Sequence, residues 1–180
     1  VVFYPFPQDE NDGFQVARPV NYGGEPHTEQ FVYLNTAKCL EKQVFAVGHV
    51  ESEYASRIVS SLVASGVKVA FSGSDYRGGT LLAQKLGARF VDAEPEEAMR
   101  KAAEAWGGLD FMLCFGNPGQ ELENAFAAIS PDGGIIAAGA IADAAGKGWN
   151  AVAADSADPA HAVLFLMLPQ AVALRGVVVR

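Results

Sequence analysis

A chain of 180 residues, half of them hydrophobic, is long enough to bury a real core and short enough to form one domain. Its formal charge of −8 and the scatter of its Lys and Arg residues argue against nucleic acid and anionic membranes as partners. Two cysteines, Cys39 and Cys114, make neither a disulfide framework nor a metal set, and no apolar run reaches the ~20 residues that span a bilayer.

Residues 1–36 stand apart. Pro5, Pro7, Pro19, Pro26 and the Gly23-Gly24 pair disfavour regular elements, yet Phe3, Tyr4, Phe6, Phe14, Tyr22, Phe31 and Tyr33 are too many aromatics for a solvated tail. The expectation is an extended arm lying on its own domain or on a neighbouring subunit. The sequence opens on Val1 rather than Met, as a processed chain or a fragment would, and shows no signal-peptide pattern. A reduced compartment follows from the cysteine count: cytoplasm, or an organelle matrix if the N-terminus is processed.

Residues 37–180 are regular. Residues 44–47 read as a short buried strand ending at Gly48. Residues 51–65 carry Tyr54, Ile58, Val59, Leu62 and Val63 on one helical face, and Gly66 stops them. A second strand over 67–71 ends in the polar turn Ser72-Gly73-Ser74-Asp75. A helix over 80–86, a strand over 89–91 and a charged helix over 95–106 follow, the last opened by Glu94 and Pro95. Next come a strand over 109–114, a helix over 120–129 and a strand over 135–138. Beyond a Gly/Ala-rich stretch, Asp158-Pro159 opens one long apolar helix over 159–174, and residues 177–179 form a sixth strand. This alternation predicts a three-layer, doubly wound parallel sheet of the Rossmann type.

Particular segments resemble the short-chain dehydrogenase/reductase family. Trp106-Gly107-Gly108-Leu109-Asp110 matches the family's F-G-G-L-D, and Leu40-Glu41-Lys42-Gln43-Val44 resembles its L-x-G-K-V start of the first strand. The stretch from Asp158 to Arg180 is similar in length and polarity to the family's interface helix and following G-I-R-V-N strand. A second resemblance is to the cofactor domain of medium-chain, alcohol-dehydrogenase-like reductases. It rests on residues 82–92 and 133–139 and on the short link between the fourth and fifth strands.

The resemblance implies NAD(P) and a Tyr-Lys-Ser catalytic set, and position by position both are missing. The family's first turn is T-G-x-x-x-G-x-G, whose glycines admit a pyrophosphate at a helix N-terminus. Here Val47-Gly48-His49-Val50-Glu51-Ser52-Glu53-Tyr54 keeps only the first glycine, and Glu51 and Glu53 put carboxylates where phosphate would sit. Counting back from Gly176, the Tyr and Lys positions fall on Ala154 and Asp158, and the Ser falls near Gly139-Ala140. The N-N-A-G motif becomes Cys114-Phe115-Gly116-Asn117.

What remains is vestigial: Gly48, Asp75 at the ribose position, Asp92 where the family contacts adenine, and Cys114 at a strand C-terminus. Each has a plainer role. Asp75 suits a turn, Cys114 a buried core thiol, and His49 the surface; His27, His49 and His161 have no metal spacing. The 159–174 helix is apolar around nearly its whole circumference, so one flank should pack on its own sheet and the other on a second subunit, or else under the N-terminal arm. The sequence thus points to a non-catalytic, dehydrogenase-like subunit of a larger enzyme, without a cofactor, whose partner is a homologue or a second copy. The alternative is an NAD(P)-dependent oxidoreductase completed by a partner chain or by segments outside this sequence. A third reading is a binding module that keeps the crevice for another small ligand.

Overall fold

The structure, a computed structural model, describes residues 41–116, 127–139, 144 and 147–180, and ahead of them three strands: β1 (Val2–Tyr4), β2 (Gly13–Ala17) and β3 (Phe31–Asn35). These three pair antiparallel in the order β1-β2-β3. The first 36 residues therefore hold three short strands, although their composition disfavours regular elements. Their prolines and paired glycines all fall outside the strand bounds. Within them, runs such as Phe31-Val32-Tyr33-Leu34 are strong strand formers.

The second sheet is parallel throughout. In chain order its region contains β4 (Gln43–Gly48), α1 (Glu53–Ala64), β5 (Lys68–Ser72), α2 (Tyr76–Leu86), β6 (Arg89–Val91), α3 (Pro95–Trp106), β7 (Leu109–Phe115), β8 (Ile129–Ala138), β9 (Asn150–Val152), α4 (Pro159–Leu166), α5 (Pro169–Val172) and β10 (Val178–Val179). Its seven strands lie in the order β10-β9-β8-β7-β4-β5-β6. The chain winds outward from β4 to β6, returns to β7 beside β4, then winds the other way. That reversal makes the β4–β7 junction the topological switch point, where such sheets form their ligand crevice.

Strand alternation divides the core between two faces. Val44 and Ala46 point to the side covered by α1, α2 and α4, where Ile58, Leu62, Leu86, Val163 and Leu166 pack. Phe45 and Val47 point to the other side, against Ala98, Met99 and Ala102 of α3. Ser52 and Asp75 cap α1 and α2 through their side chains, and Pro95 opens α3.

Three expectations need correcting. β9, inside the Gly/Ala-rich stretch, is a strand too short to show periodicity, so the last strand is the seventh of its sheet and not the sixth. Ile129 belongs to β8 and not to a helix; the rest of the expected 120–129 helix lies almost wholly outside the described residues. β8 bulges, its register slipping between the pairs Leu109–Ile129 and Phe111–Gly134, and a Cβ on Gly133 would meet the Asp110 carbonyl oxygen at 1.6 Å. Lastly, the 159–174 helix is two pieces. Pro169 lacks the N–H that would continue α4, and Leu168 before it is extended, with φ −69° and ψ 144°.

The apolar circumference of α4 is covered within this chain. It packs on α1, β8, β9 and α5, and Leu166 is 0% exposed. Burial by the chain itself removes the physical reason for placing a second subunit along its whole length.

Asn150 is the one buried polar residue among the described ones. Its Nδ2 donates to the Ala171 carbonyl at 3.1 Å, and its Oδ1 accepts from the Val177 amide at 3.0 Å. One side chain on β9 thus fastens both α5 and the approach to β10. Asn150→Ala leaves the Val177 amide without this partner, while the Ala171 carbonyl still accepts from the Leu174 amide, and is expected to cost about 1–3 kcal/mol. Urea unfolding measures this; a loss below about 0.5 kcal/mol, the level of an ordinary surface substitution, would contradict the role.

Candidate functional site

The strands end in register at the switch point. Gly48 pairs with Phe115, Phe115 with Ala138, and Ala138 with Val152. At Gly48 φ is +99°, and a Cβ there would lie 2.0 Å from the Phe115 carbonyl oxygen. This glycine is required by the sheet, whatever occupies the crevice.

The turn that follows is closed by the protein's own groups. The Val50 amide donates back to the Gly48 carbonyl and the Ser52 amide to the His49 carbonyl, at 2.9 and 3.0 Å. Ser52 Oγ accepts from the Ala55 amide at 3.2 Å, and Ser56 Oγ donates to the Val50 carbonyl at 3.0 Å. His49 Nδ1 lies 3.3 Å from the Glu51 carboxylate, and Glu53 pairs with Arg57 one turn on. All four of these charged or ionisable side chains are exposed.

Tyr54 completes the closure. It stands six residues after Gly48, where the glycine pattern would place its last glycine. Its ring meets Phe115 edge-on, with centroids 6.4 Å apart, and its Cε1 would lie 3.5 Å from a Cβ on Gly139. The ring therefore fills the space between the first turn of α1 and the ends of β7 and β8. Its hydroxyl is buried with no hydrogen-bond partner among the described residues, and burial pushes its pKa above the usual phenol value. With Ser52 and Tyr54 at two glycine positions and carboxylates at Glu51 and Glu53, the turn does not fit a dinucleotide diphosphate. Sequence reasoning placed Tyr54 on the core face of α1; its spacing from Gly48 was the signal for its second role.

The other candidate residues do not converge. Asp75 Oδ1 accepts from the Gly78 amide at 3.0 Å, as the cap of α2. Asp92 is exposed just beyond β6. Cys114 is 1% exposed on the α3 face beside Val47 and Met112. Ala140 lies outside the described residues.

Ala154 and Asp158 fall in the connection between β9 and α4. Asp158 caps α4, accepting from the His161 amide at 3.1 Å. Neither residue lies within a helix. Among the described residues no group of three or more His, Cys, Asp or Glu side chains is arranged to hold a metal.

No protein family matches the sequence, and no curated protein matches it. Solved structures do resemble the fold. A short-chain dehydrogenase/reductase from Serratia marcescens BCRC 10948 is 17% identical, with a TM-score of 0.59 over 78% of this chain and 96% of that one. A dehydrogenase/reductase from Sinorhizobium meliloti 1021 is 15% identical, with a TM-score of 0.61 over 80% of this chain and 95% of that one. The NADH-dependent reductase A1-R', complexed with NAD, is 13% identical, with a TM-score of 0.61 over 80% and 96%. The chain has a Rossmann fold like that of the short-chain dehydrogenases/reductases. At these identities the likeness is one of fold.

Burial pushes the Cys114 thiol up to about 12 from its ordinary 9.0, with the Lys147 charge pulling weakly the other way. The folded thiol ionises later than the unfolded one. Its share of stability is therefore whole below pH about 9 and is lost as pH rises towards about 12. In a Cys39→Ser background, a disulfide reagent at pH 8 should modify Cys114 only as fast as the chain unfolds. Modification at the rate of a free thiol would contradict this burial.

Proposed function

We propose that the chain is a dehydrogenase-like subunit with no catalytic machinery of its own, supporting an oligomeric or multi-subunit enzyme. The observation that carries this reading is the closed turn at Gly48. Tyr54 fills the crevice, Ser52 is committed to capping α1, and Glu51 and Glu53 place negative charge where a diphosphate would approach. A thiol as buried as Cys114 is no nucleophile at neutral pH.

The partner would meet the exposed end of the 159–174 stretch and not its buried α4. Leu174 is 56% exposed, and Val178, on the edge strand β10, is 38% exposed. The second reading, an NAD(P)-dependent oxidoreductase completed by a partner or by further segments, is favoured by one feature. The Tyr54 hydroxyl, buried without a partner among the described residues, is a donor that a ligand would meet if the ring swung out of the crevice.

Calorimetric titration with NAD+, NADH, NADP+ and NADPH separates the two. The expected result is no saturable heat below about 1 mM, and a low-micromolar Kd for any of them would overturn the first reading. In the native assembly, alanine at His49, Asp92 or Cys114 should leave activity nearly unchanged. A loss beyond about 100-fold at any one, the scale of removing a general acid or base, would mean that the chain contributes chemistry. Light scattering behind size-exclusion chromatography tests the partner: a stable monomer with no native complex would remove that half of the proposal.

A further inference from the structure

The edge of the seven-stranded sheet opposite β10 is β6, with α2 packed beside it. Residues 76–91, which span the two elements, hold Arg77, Lys85 and Arg89 and no carboxylate, in a chain whose net charge is −8. All three cations are exposed, and none has an ion-pair partner among the described residues. α2 also carries the two most exposed large hydrophobic side chains among those residues, Tyr76 at 63% and Leu81 at 58%.

We propose that this surface docks an acidic amphipathic helix of a partner protein, one whose carboxylates flank an apolar side chain. Arg77, Leu81 and Lys85 stand four residues apart along α2. They form one outward ridge roughly 12 Å long, basic at both ends and apolar in the middle. Ridges of that spacing are the ones that interdigitate when helices pack. A helix that repeats acid, apolar residue and acid at the same spacing complements the ridge in charge and in shape. A second copy of α2 is the wrong occupant, since crossing about a twofold axis would set cation against cation.

Tyr76 gives the ridge a fixed aromatic flank. Its ring meets Phe90 edge-on, with centroids 6.1 Å apart, and Phe90 leans on buried Phe71 at 5.7 Å. Phe90 reaches this place because Gly79 has no side chain: a Cβ there would lie 2.2 Å from the Phe90 ring. An exposed ring supported by two others is ordered before a partner arrives, which lowers the ordering cost of binding. β6 itself is only three residues long and carries Arg89, features that resist the addition of another strand. The side chains of α2 are left as the means of contact. This surface is separate from Leu174 and Val178 at the β10 edge, and a partner could occupy either without the other.

The probe for the test is a synthetic, alanine-rich peptide of about 15 residues, with a central Leu and a Glu four positions to either side. Titrated into the isotope-labelled full chain, it should shift the backbone amides of residues 76–91 saturably. The expected Kd is at or below about 1 mM and rises with salt. The double variant Arg77→Glu, Lys85→Glu changes only exposed positions, so it should keep the folded spectrum while binding at least about tenfold more weakly. Leu81→Ala should weaken binding several-fold by removing the apolar contact. A peptide with Lys in place of Glu should not bind. The proposal is overturned by the absence of saturable shifts at 76–91 up to about 5 mM, by equal affinity in the double variant, or by equal affinity for the lysine peptide. Tighter binding to phosphatidylserine vesicles than to the peptide, lost in the same variant, would also overturn it and give the surface to a membrane. None of these outcomes bears on nucleotide binding at Gly48 or on contacts at the β10 edge.

Discussion

At the centre of the sheet, the last residue of β4 meets the last residue of β7 across a gap that admits no Cβ. A Cβ on Gly48 would lie only 2.0 Å from the Phe115 carbonyl oxygen. The two central strands can end in register only because a glycine stands there, and its positive φ sends the chain sharply into the turn that starts α1. The placement of α1 over Val44 and Ala46, and the seat of α4 against α1, follow from that direction. Tyr54 reaches Phe115 because α1 begins where it does.

The same contact separates two demands that a first-turn glycine can serve. One belongs to the sheet, which needs close approach of backbone to backbone. The other belongs to a bound diphosphate, which needs room and free amides at the helix start. Gly48 answers the first demand by itself. The positions that would answer the second hold Ser52 and Tyr54, whose side chains are engaged in capping and packing. A retained glycine at the end of a first strand is therefore a statement about strand packing before it is one about a ligand.

Legibility in the sequence followed how each element is stabilised. The helices α1 and α3 announce themselves by an apolar face with a cap or a proline at one end, and their bounds were readable to within about two residues. β6, only three residues long, was also found because Gly87 and Asp92 punctuate it. β9 was not, since Asn150-Ala151-Val152 has no alternation to display and owes its strand conformation to pairing with Ala137 and Ala138. The 159–174 run misled for the opposite reason. Its apolar character was real, but Pro169 broke the helix and the fold itself consumed the apolar surface. Of the candidate site, the missing glycines were plain from the letters. What takes their place depended on where the Tyr54 ring goes.

The hydrogen bonds of Asn150 also bear on how the end of the chain opens. β10 is two residues long and sits at the sheet edge, so by itself it would fray on its own. It does not stand by itself: the Ala151 and Ala153 amides bond to the Val177 and Val179 carbonyls, each at 2.8 Å, while Asn150 holds the Val177 amide and the Ala171 carbonyl together. Releasing the edge strand means releasing the amide of Asn150, and with it the last turn of helix. The segment from α5 onward is thereby made a single cooperative unit, whose amides exchange with solvent together or stay protected together.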